Sequence, residues 1–202
     1  MKSTKRNRNL ELLFEIGCLR FIDRSWKRFL NPDFANLAEH HYRVQWISYI
    51  LAKMEKIENI EKILLMAMAH DIAESRTGDV DYLQRQYVDR YEDLGMQDML
   101  SGTLPEKDLL LLMKEYEDRS SIESKIVKDA DNLDVDFEIR EQAARGNPIG
   151  QEWLDNRRFV MQEKLYTSSA KQLWQEIYSA NPHDWHVFGR NRFRGGDWKP
   201  KK

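Results

Sequence analysis

The chain has 202 residues, of which 41% are hydrophobic and 33% charged, with a formal net charge of −2 at pH 7. That length is enough for one domain with a sizeable core, and the near-neutral balance argues against a nucleic-acid scaffold or a membrane-surface protein. No apolar run approaches the roughly 18 residues that cross a bilayer. The single Cys18 excludes an intramolecular disulfide framework and a Cys-rich zinc site. We expect a cytoplasmic all-α protein without a signal peptide, because only 9 Gly and 5 Pro are present and charges interrupt the first apolar stretch.

The chain is predicted to have three parts: a loose basic start over residues 1–8, one domain over 9–180 and a basic aromatic tail over 181–202. Apolar residues recur at helical spacing along one face of a first helix, at Leu10, Leu13, Phe14, Gly17 and Phe21. Arg24-Ser25-Trp26 follows, and Pro32 is expected to close the connection. Trp26 is expected to pack near the helix junction, whereas Arg24 is less easily explained as a core residue.

The second helix begins at a capping box, with Asn36 as N-cap and Glu39 three residues on. Its apolar stripe contains Leu37, His40, Val44, Ile47, Leu51 and Met54. His40 is therefore predicted to face the core, and His41 to lie off that face. Taken alone, a histidine on an apolar stripe is usually a hydrogen-bonded core residue.

The third helix carries the central motif. Its apolar face continues into His70, Asp71 and Glu74, and the chain breaks at Thr77-Gly78. Burying an imidazole and two carboxylates without partners is unfavourable, and a divalent metal ion can satisfy a His and an Asp together. A hydrogen-bonded His beside an Asp that ends a helix is the alternative. Two core-facing histidines on consecutive helices favour the metal.

The middle of the chain is less clearly patterned. Asp79 is predicted to cap a helix through about Tyr91, with Leu83, Tyr87 and Tyr91 buried. The segment from Gly95 to Pro105 is predicted to be a loop or short helical turns. A helix is predicted from Glu106 to Asp118, with its inward residues at Leu109, Leu112, Met113 and Tyr116.

A long helix is predicted from Ser121 to a stop signal near residues 145–148, with a stripe formed by Ile122, Ile126, Ala130, Leu133 and Phe137. Its centre is unusually acidic. Asp131 lies on the flank of the stripe with Val127 and Asp134, and periodicity alone does not choose among them.

Two more helices are predicted over roughly 149–165 and 167–179. The tail that follows mixes basic and aromatic residues, a pattern that can bind single-stranded nucleic acid. Packing on the same domain or on a neighbouring subunit is favoured instead. A second His-Asp dipeptide, His183-Asp184, lies on no amphipathic helix and is predicted to be inert.

Several catalytic motifs are absent. The sequence contains no Gly-x-Ser-x-Gly elbow and no phosphate-binding glycine loop. The remaining pattern resembles the HD-domain metal-dependent phosphohydrolases, and most closely the branch that contains the 5'-deoxynucleotidases. The resemblance covers about residues 10–145. It rests on four segments, Ala38–Val44, Ala69–Glu74, Thr77–Asp79 and Val127–Asp131.

The resemblance implies an all-α, single-domain helical bundle. It implies one divalent metal ion (Mn²⁺, Co²⁺, Zn²⁺, Fe²⁺, Ni²⁺ or Mg²⁺), with the ligands His40, His70, Asp71 and Asp131. The implied activity is release of phosphate from (deoxy)nucleoside 5'-monophosphates.

The resemblance also suggests roles for other side chains. In this interpretation Glu74, together with the ligand Asp71, is catalytic and orients or deprotonates water. Arg24 binds the phosphate, Trp26 places it or the sugar, and Asp79 accepts a hydrogen bond from a sugar hydroxyl. Helix termination and capping are the alternatives for Glu74 and Asp79.

The chain departs from the bacterial enzymes of this branch in two places. Ser25 separates Arg24 from Trp26, which are adjacent in those enzymes. Val80-Asp81-Tyr82 replaces a Leu-Pro-Thr sequence that helps to hold the nucleotide. The metal site is therefore better supported than the substrate.

The expected partners are a small-molecule nucleotide and a second copy of the chain in a homodimer, with no membrane and no nucleic acid. Other functions stay open. The same metal site could act on a nucleoside triphosphate or a cyclic dinucleotide. The bundle could instead be a non-catalytic nucleotide-sensing or partner-binding module, and the tail could bind nucleic acid.

Overall fold

The computed structural model describes residues 7–31 and 33–189, and these form α-helices and short 3-10 turns without a β-strand. The prediction of an all-α fold is confirmed. The α-helices are α1 Arg8–Ile16, α2 Leu37–Met54, α3 Ile60–Ala69, α4 Glu74–Thr77, α5 Glu92–Leu100, α6 Glu106–Asp118, α7 Ile122–Ala144, α8 Ile149–Glu152, α9 Leu154–Glu163, α10 Ser168–Ser179 and α11 Asp184–Val187. The 3-10 turns are Gly17–Phe21, Ser25–Arg28 and Gln84–Gln86. In this part of the chain, no helix has both the length and the apolarity that a membrane span requires.

Helix α7 is the centre of the bundle and packs against α2, α3, α6 and α10. It begins at Ser121, whose side chain accepts a hydrogen bond from the backbone N–H of Ser124. Helix α2 begins at Asn36, and Glu39 completes the predicted capping box. The two longest helices therefore start where their sequence signals place them. Their apolar stripes meet in one core.

The position of His41 differs from the prediction. Its side chain is buried, because α2 packs against α3 as well as α7 and so has two covered faces. The His41 ring lies 4.7 Å from the His70 ring, measured between centroids. A single stripe read from the sequence finds only one of these two faces.

The predicted apolar face of the first helix exists but is not covered by the domain. Leu13, Phe14 and Phe21 are exposed by 66%, 71% and 70%. The buried residues of this segment are Leu12 and Leu19. Within the described chain, the more apolar side of α1 and of the turn after it therefore faces solvent.

The helix predicted over residues 79–91 is wrong. Only a 3-10 turn forms there, and Leu83, Tyr87 and Tyr91 are exposed. The carboxylate of Asp81 accepts hydrogen bonds from the backbone N–H groups of Leu83 and Gln84, both at 2.9 Å. This local side-chain cap favours a turn over a continuing helix.

The segment over residues 95–105, predicted to be a loop or short helical turns, is helical in its first half, which belongs to α5. Met96, Met99 and Leu100 have helical spacing and are buried, so tertiary packing outweighs the weak helix propensity of Gly95. The chain does turn at Gly102, whose φ of 75° suits glycine.

The C-terminal helices are largely as predicted, except that the segment over 149–165 divides into α8 and α9. The predictions for residues 1–6, for Pro32 and for the tail from Arg190 onward lie outside the described residues.

A buried ion pair joins three of the helices. Asp136 of α7 accepts two hydrogen bonds from the Arg157 guanidinium of α9, at 2.8 and 2.7 Å. The same carboxylate accepts bonds from the Trp174 indole at 3.1 Å and from the Tyr178 hydroxyl at 2.9 Å. Asp136 and Arg157 are 0% and 2% exposed. Removing one partner of such a pair leaves the other as a buried charge without a partner.

We therefore expect Asp136→Ala to lower the free energy of unfolding by about 3–5 kcal/mol, measured by urea denaturation. Asp155→Ala is the control, because Asp155 forms an exposed ion pair with Arg158 and should change stability by less than about 1 kcal/mol. Equal effects of the two variants would contradict the assignment.

Candidate metal centre

Two histidines from neighbouring helices face each other at the centre of the bundle. His40 lies in the first turns of α2, and His70 is the C-cap of α3. Their Nε2 atoms are 3.3 Å apart, and both side chains are 0% exposed. Because α2 and α3 pack side by side, the two core stripes bring these rings together.

Two carboxylates complete the group. Asp71 Oδ2 lies 3.2 Å from His70 Nε2 and 3.7 Å from His40 Nε2, and Asp131 Oδ1 lies 3.3 Å from His40 Nε2. One ligand atom from each of the four side chains lies within 4.8 Å of the other three. The structure thus brings together His40, His70, Asp71 and Asp131, and it selects Asp131 from the acidic run of α7.

The outer nitrogen of each imidazole has its own acceptor. His40 Nδ1 lies 2.6 Å from Asp134 Oδ2, and His70 Nδ1 lies 2.9 Å from the carbonyl oxygen of Ala67. A carbonyl only accepts, so Nδ1 of His70 carries a proton, and the Asp134 carboxylate favours the same tautomer of His40. The Nε2 atoms of both rings therefore face the carboxylates, the arrangement seen in metal-binding histidines, where Nδ1 bonds to an outer acceptor.

The donor set fits a divalent metal ion. Bonds of about 2.0–2.2 Å to one ion place neighbouring ligand atoms about 3 Å apart, close to the spacing of these donors. Two imidazole nitrogens and two carboxylates suit several first-row metals, so the residues do not choose one. The cluster could hold a divalent metal, whose identity the geometry leaves open.

The charges of the cluster are balanced by neighbours on α2 and α7. Burial and Arg24 lower the pKa of His40, but Asp134 and Asp131 together raise it well above its ordinary value. Burial raises the pKa of Asp131, yet Lys128, 2.6 Å away, and His40 hold it well below the usual range. A divalent cation would compete with the proton for the His40 nitrogen.

A cavity of about 330 Å³ opens beside the cluster. Its wall includes Arg24, Trp26, Asp71, Glu74, Asp79 and Asp131. All of the residues predicted for catalysis or substrate binding therefore line one space, together with two of the four candidate ligands. Its volume is at the lower end of the range for small-molecule sites, about 300–1,000 Å³.

Arg24 is held in this wall by carboxylates. Its Nε lies 3.3 Å from Asp79 Oδ2, and its Nη1 lies 3.9 Å from Asp71 Oδ2. Asp79 also accepts a hydrogen bond of 3.1 Å from the backbone N–H of Ser25. Asp79 therefore fastens the start of the Ser25–Arg28 turn, and the inserted Ser25 supplies part of that contact.

Trp26 packs as expected at a junction. Its ring centroid lies 5.0 Å from that of Trp153 and 6.0 Å from that of Tyr82, both with edge-on geometry. The residue is half-buried and borders the cavity.

Glu74 lies in the first turn of α4 and is buried. Its Oε1 lies 3.3 Å from Arg90 Nη1, while its Oε2 is buried and has no hydrogen-bond partner in the described structure. Burial, followed by Asp71 and Asp79, raises the pKa of Glu74 to about 9, although Arg24 opposes this. A divalent cation nearby would favour the ionised carboxylate.

Sequence reasoning missed the residues that support the cluster. Lys128 and Asp134 each stand three residues from Asp131, so one helix face carries all three, and that i, i+3 spacing was the available signal. Arg90 lies within the mispredicted segment over 79–91 and had no such signal. His183 and Asp184 are exposed at α11 and are not part of the cluster.

Comparison with known proteins agrees with this arrangement. The HD domain family model matches residues 16–175. The chain belongs to the HD domain family. A bovine relative named 5'-deoxynucleotidase HDDC2 is 29% identical over 153 residues, covering 70% of this chain and 71% of the relative.

A second relative, 5'-deoxynucleotidase YfbR of Escherichia coli, is 30% identical over 142 residues, covering 64% of this chain and 71% of the relative. Among solved structures, a conserved hypothetical protein from Pyrococcus furiosus has a TM-score of 0.69 at 24% identity. That match covers 85% of this chain and 99% of the other, and it shows a shared fold.

The contact between His40 and Asp134 leads to a test of the metal site. We expect Asp134→Ala to weaken metal binding about 10–100-fold, because the imidazole loses the partner that fixes its tautomer and orientation. The measurement is calorimetric titration of the metal-free protein with Zn²⁺ or Mn²⁺.

Glu141→Ala is the matched control. Glu141 lies on the same helix and forms an ion pair of 3.1 Å with Arg43, but it has no contact with His40 among the hydrogen bonds and ion pairs of the described chain. Equal metal affinity in Asp134→Ala and the parent would show that Asp134 does not support the site.

Proposed function

We propose that this protein is a metal-dependent phosphohydrolase that releases phosphate from (deoxy)nucleoside 5'-monophosphates. The observation that carries the proposal is the pair of imidazole Nε2 atoms, 3.3 Å apart and beside two carboxylates, next to a polar cavity that contains Arg24. Relatives named 5'-deoxynucleotidase support the nucleotide as substrate.

One divalent metal ion is the proposed cofactor, with His40, His70, Asp71 and Asp131 as its ligands. When bound, it would supply Lewis-acid polarisation of the phosphoryl group and activation of water. Mn²⁺, Co²⁺, Zn²⁺, Fe²⁺, Ni²⁺ and Mg²⁺ are all candidates.

Other side chains of the cavity bind the phosphate and activate the attacking water. Arg24 binds non-bridging phosphate oxygens through its guanidinium. Asp79 holds this guanidinium at Nε, so its other nitrogens are available to the substrate. Glu74 accepts a proton from the attacking water at its unpartnered Oε2. Arg90, bonded to Oε1, keeps the carboxylate oriented.

Trp26 and Asp79 are proposed to contact the nucleoside. Trp26 offers the edge of a ring that Trp153 and Tyr82 fix in place. Asp79 already binds Arg24 and Ser25, but a carboxylate has about four acceptor sites, so it can still accept a bond from a sugar hydroxyl. Asp79 would thereby couple sugar binding to the position of Arg24.

The relatives named 5'-deoxynucleotidase favour a mononucleotide, whereas the size of the site does not. The cavity of about 330 Å³ shares the lining residues Asp71 and Glu74 with a second cavity of about 630 Å³ that also contains His70, so larger nucleotides have room beside the cluster. Phosphate release from a panel of mono-, tri- and cyclic nucleotides with each candidate metal tests this choice. Turnover confined to triphosphates or cyclic dinucleotides would overturn it.

Variants of Glu74 and Asp71 distinguish a role in catalysis from a role in metal binding. We expect Glu74→Ala to keep the metal and bind nucleotide nearly as well as the parent, but to lose activity by about 10²–10⁴-fold, the usual contribution of a positioned acid or base. Asp71→Ala should lose both metal and activity. Metal content, substrate affinity and turnover are measured side by side.

The second His-Asp dipeptide gives the control, because alanine at both His183 and Asp184 should leave metal content and turnover unchanged. If Glu74→Ala turns over at the parent rate, Glu74 only ends a helix. If it loses the metal, Glu74 belongs to the coordination shell.

We also propose a homodimer in the cytoplasm. The exposed apolar side chains Leu10, Leu13, Phe14 and Phe21 form one helical face that a second copy could cover by two-fold symmetry. The free thiol of Cys18 is exposed, which supports a reducing compartment.

The dimer is tested by sedimentation. We expect the parent to sediment as a dimer and Phe14→Glu to shift toward monomer, because a charge placed in an apolar interface has no partner. Phe159→Glu, at a residue 53% exposed on α9 and away from this face, should remain dimeric. A parent that stays monomeric at high concentration refutes the dimer.

A further inference from the structure

Arg119 occupies an unusual backbone position. It is the C-cap residue of α6, with φ 49° and ψ 33° in the left-handed region. Glycine is the ordinary residue where a helix ends in this conformation, because a side chain there is disfavoured. Helix termination alone therefore does not account for an arginine at this position, and such outliers occur often at functional sites.

The side chain of Arg119 is directed back over α6. Its guanidinium carbon lies 4.0 Å from the centroid of the Tyr116 ring. Tyr116 is buried, and its ring meets the ring of His70 edge-on at 5.9 Å between centroids. A single aromatic ring thus separates the guanidinium from the candidate metal ligand. Arg119 also lines the same cavity as Arg24 and Asp71.

The charge of Arg119 is less well compensated than that of its neighbours. Arg24 pairs with Asp79, Arg90 with Glu74, and Lys128 with Asp131. In the described chain, Arg119 forms no ion pair, and its buried Nη1 has no hydrogen-bond partner. Arg85, also in the wall, is exposed and donates to the carbonyl of Val80. Among the cavity cations of the described chain, Arg119 is therefore the one that has a buried hydrogen-bond donor and no carboxylate partner.

We propose that Arg119 binds the phosphate group of the substrate, as a second guanidinium in addition to Arg24. The inference rests on the proposed function, which places a phosphate ester in this cavity. A guanidinium has a planar set of donors that matches phosphate oxygens, and its stack on Tyr116 limits its freedom before the substrate arrives. The phosphate is the anionic part of a nucleoside monophosphate, so it is the group that can neutralise this cation.

The backbone conformation supplies a discriminating variant, Arg119→Gly. Glycine suits a φ of 49°, so the substitution removes the guanidinium without adding backbone strain. Lys56→Gly is the matched control, because Lys56 has a φ of 58°, is exposed and does not line the cavity. Arg119→Lys keeps the charge but removes the planar donors.

Two measurements are made on the metal-loaded proteins: the affinity for inorganic phosphate by calorimetry, and KM and kcat for a nucleoside 5'-monophosphate. We expect Arg119→Gly to bind phosphate about 10-fold or more weakly and to raise KM similarly, since a charge-assisted hydrogen bond is lost. Arg119→Lys should be intermediate. Lys56→Gly should match the parent in both measurements. The urea midpoint of each variant reports on its folding.

Unchanged phosphate affinity in folded Arg119→Gly overturns the proposal. A raised KM with unchanged phosphate affinity also overturns it, because Arg119 would then contact the nucleoside. A lower urea midpoint with parental phosphate binding would assign Arg119 a structural role. Weaker phosphate binding in Arg119→Gly supports the proposal even if the parent fails to hydrolyse nucleotides, and in that case only the proposed function fails.

Discussion

Two imidazole Nε2 atoms that face each other at the centre of the bundle are the constraint on which this structure depends. The Nε2 atoms of His40 and His70 are 3.3 Å apart, while their Nδ1 atoms are committed to Asp134 and to the carbonyl of Ala67. Two acceptors at that distance repel unless a proton or a metal ion lies between them or beside them. The adjoining carboxylates of Asp71 and Asp131 add negative charge to the same point, so a cation is the natural occupant.

Helix α7 supplies carboxylates to this histidine pair and at the same time holds the bundle together. Its acidic residues face different partners, because successive side chains rotate around the helix. Asp131 and Asp134 face His40 of α2, whereas Asp136 accepts bonds from α9 and α10. Asp129 accepts bonds from the backbone N–H groups of Tyr166 and Thr167 at the start of α10. The acidic run is thus a set of separate buried contacts rather than a solvated face.

The parts of the fold that the sequence predicts correctly are those with a strong local signal. The capping box at Asn36, the stripe of α2 and the bounds of α6 depend on caps and on 3.6-residue periodicity within one element. The segment over 79–91 fails because the Asp81 side chain competes with helical hydrogen bonds, which periodicity does not detect. The interval 95–105 is predicted only as a loop or short helical turns, because the packing of Met96, Met99 and Leu100 that stabilises the end of α5 despite Gly95 is not visible in the sequence.

The site, like the fold, was predictable where one helix carries a strong local signal. His40 and the His70-Asp71 pair stood out because core-facing histidines on consecutive helices are uncommon. Asp131 needed the family resemblance, since its neighbours Val127 and Asp134 share its flank of α7. The wider wall of the cavity, including Arg90 and Arg119, comes from segments far apart in the chain. No single-element pattern could place those guanidinium groups beside α3.

The charge of the cavity links the metal to the phosphate. Six basic and seven acidic side chains line it, and one of the basic ones, Arg157, is neutralised by Asp136. Asp81 is likewise paired with Arg28, and the pKa of Glu74 is raised to about 9. The cavity is therefore close to charge balance, and a phosphate dianion would add two negative charges to it. A divalent cation at the four-residue cluster would offset those charges and leave the guanidinium groups free to act on the substrate. In this arrangement the ion would favour phosphate binding as well as supply its chemistry, because its two positive charges match the two negative charges of a phosphate dianion.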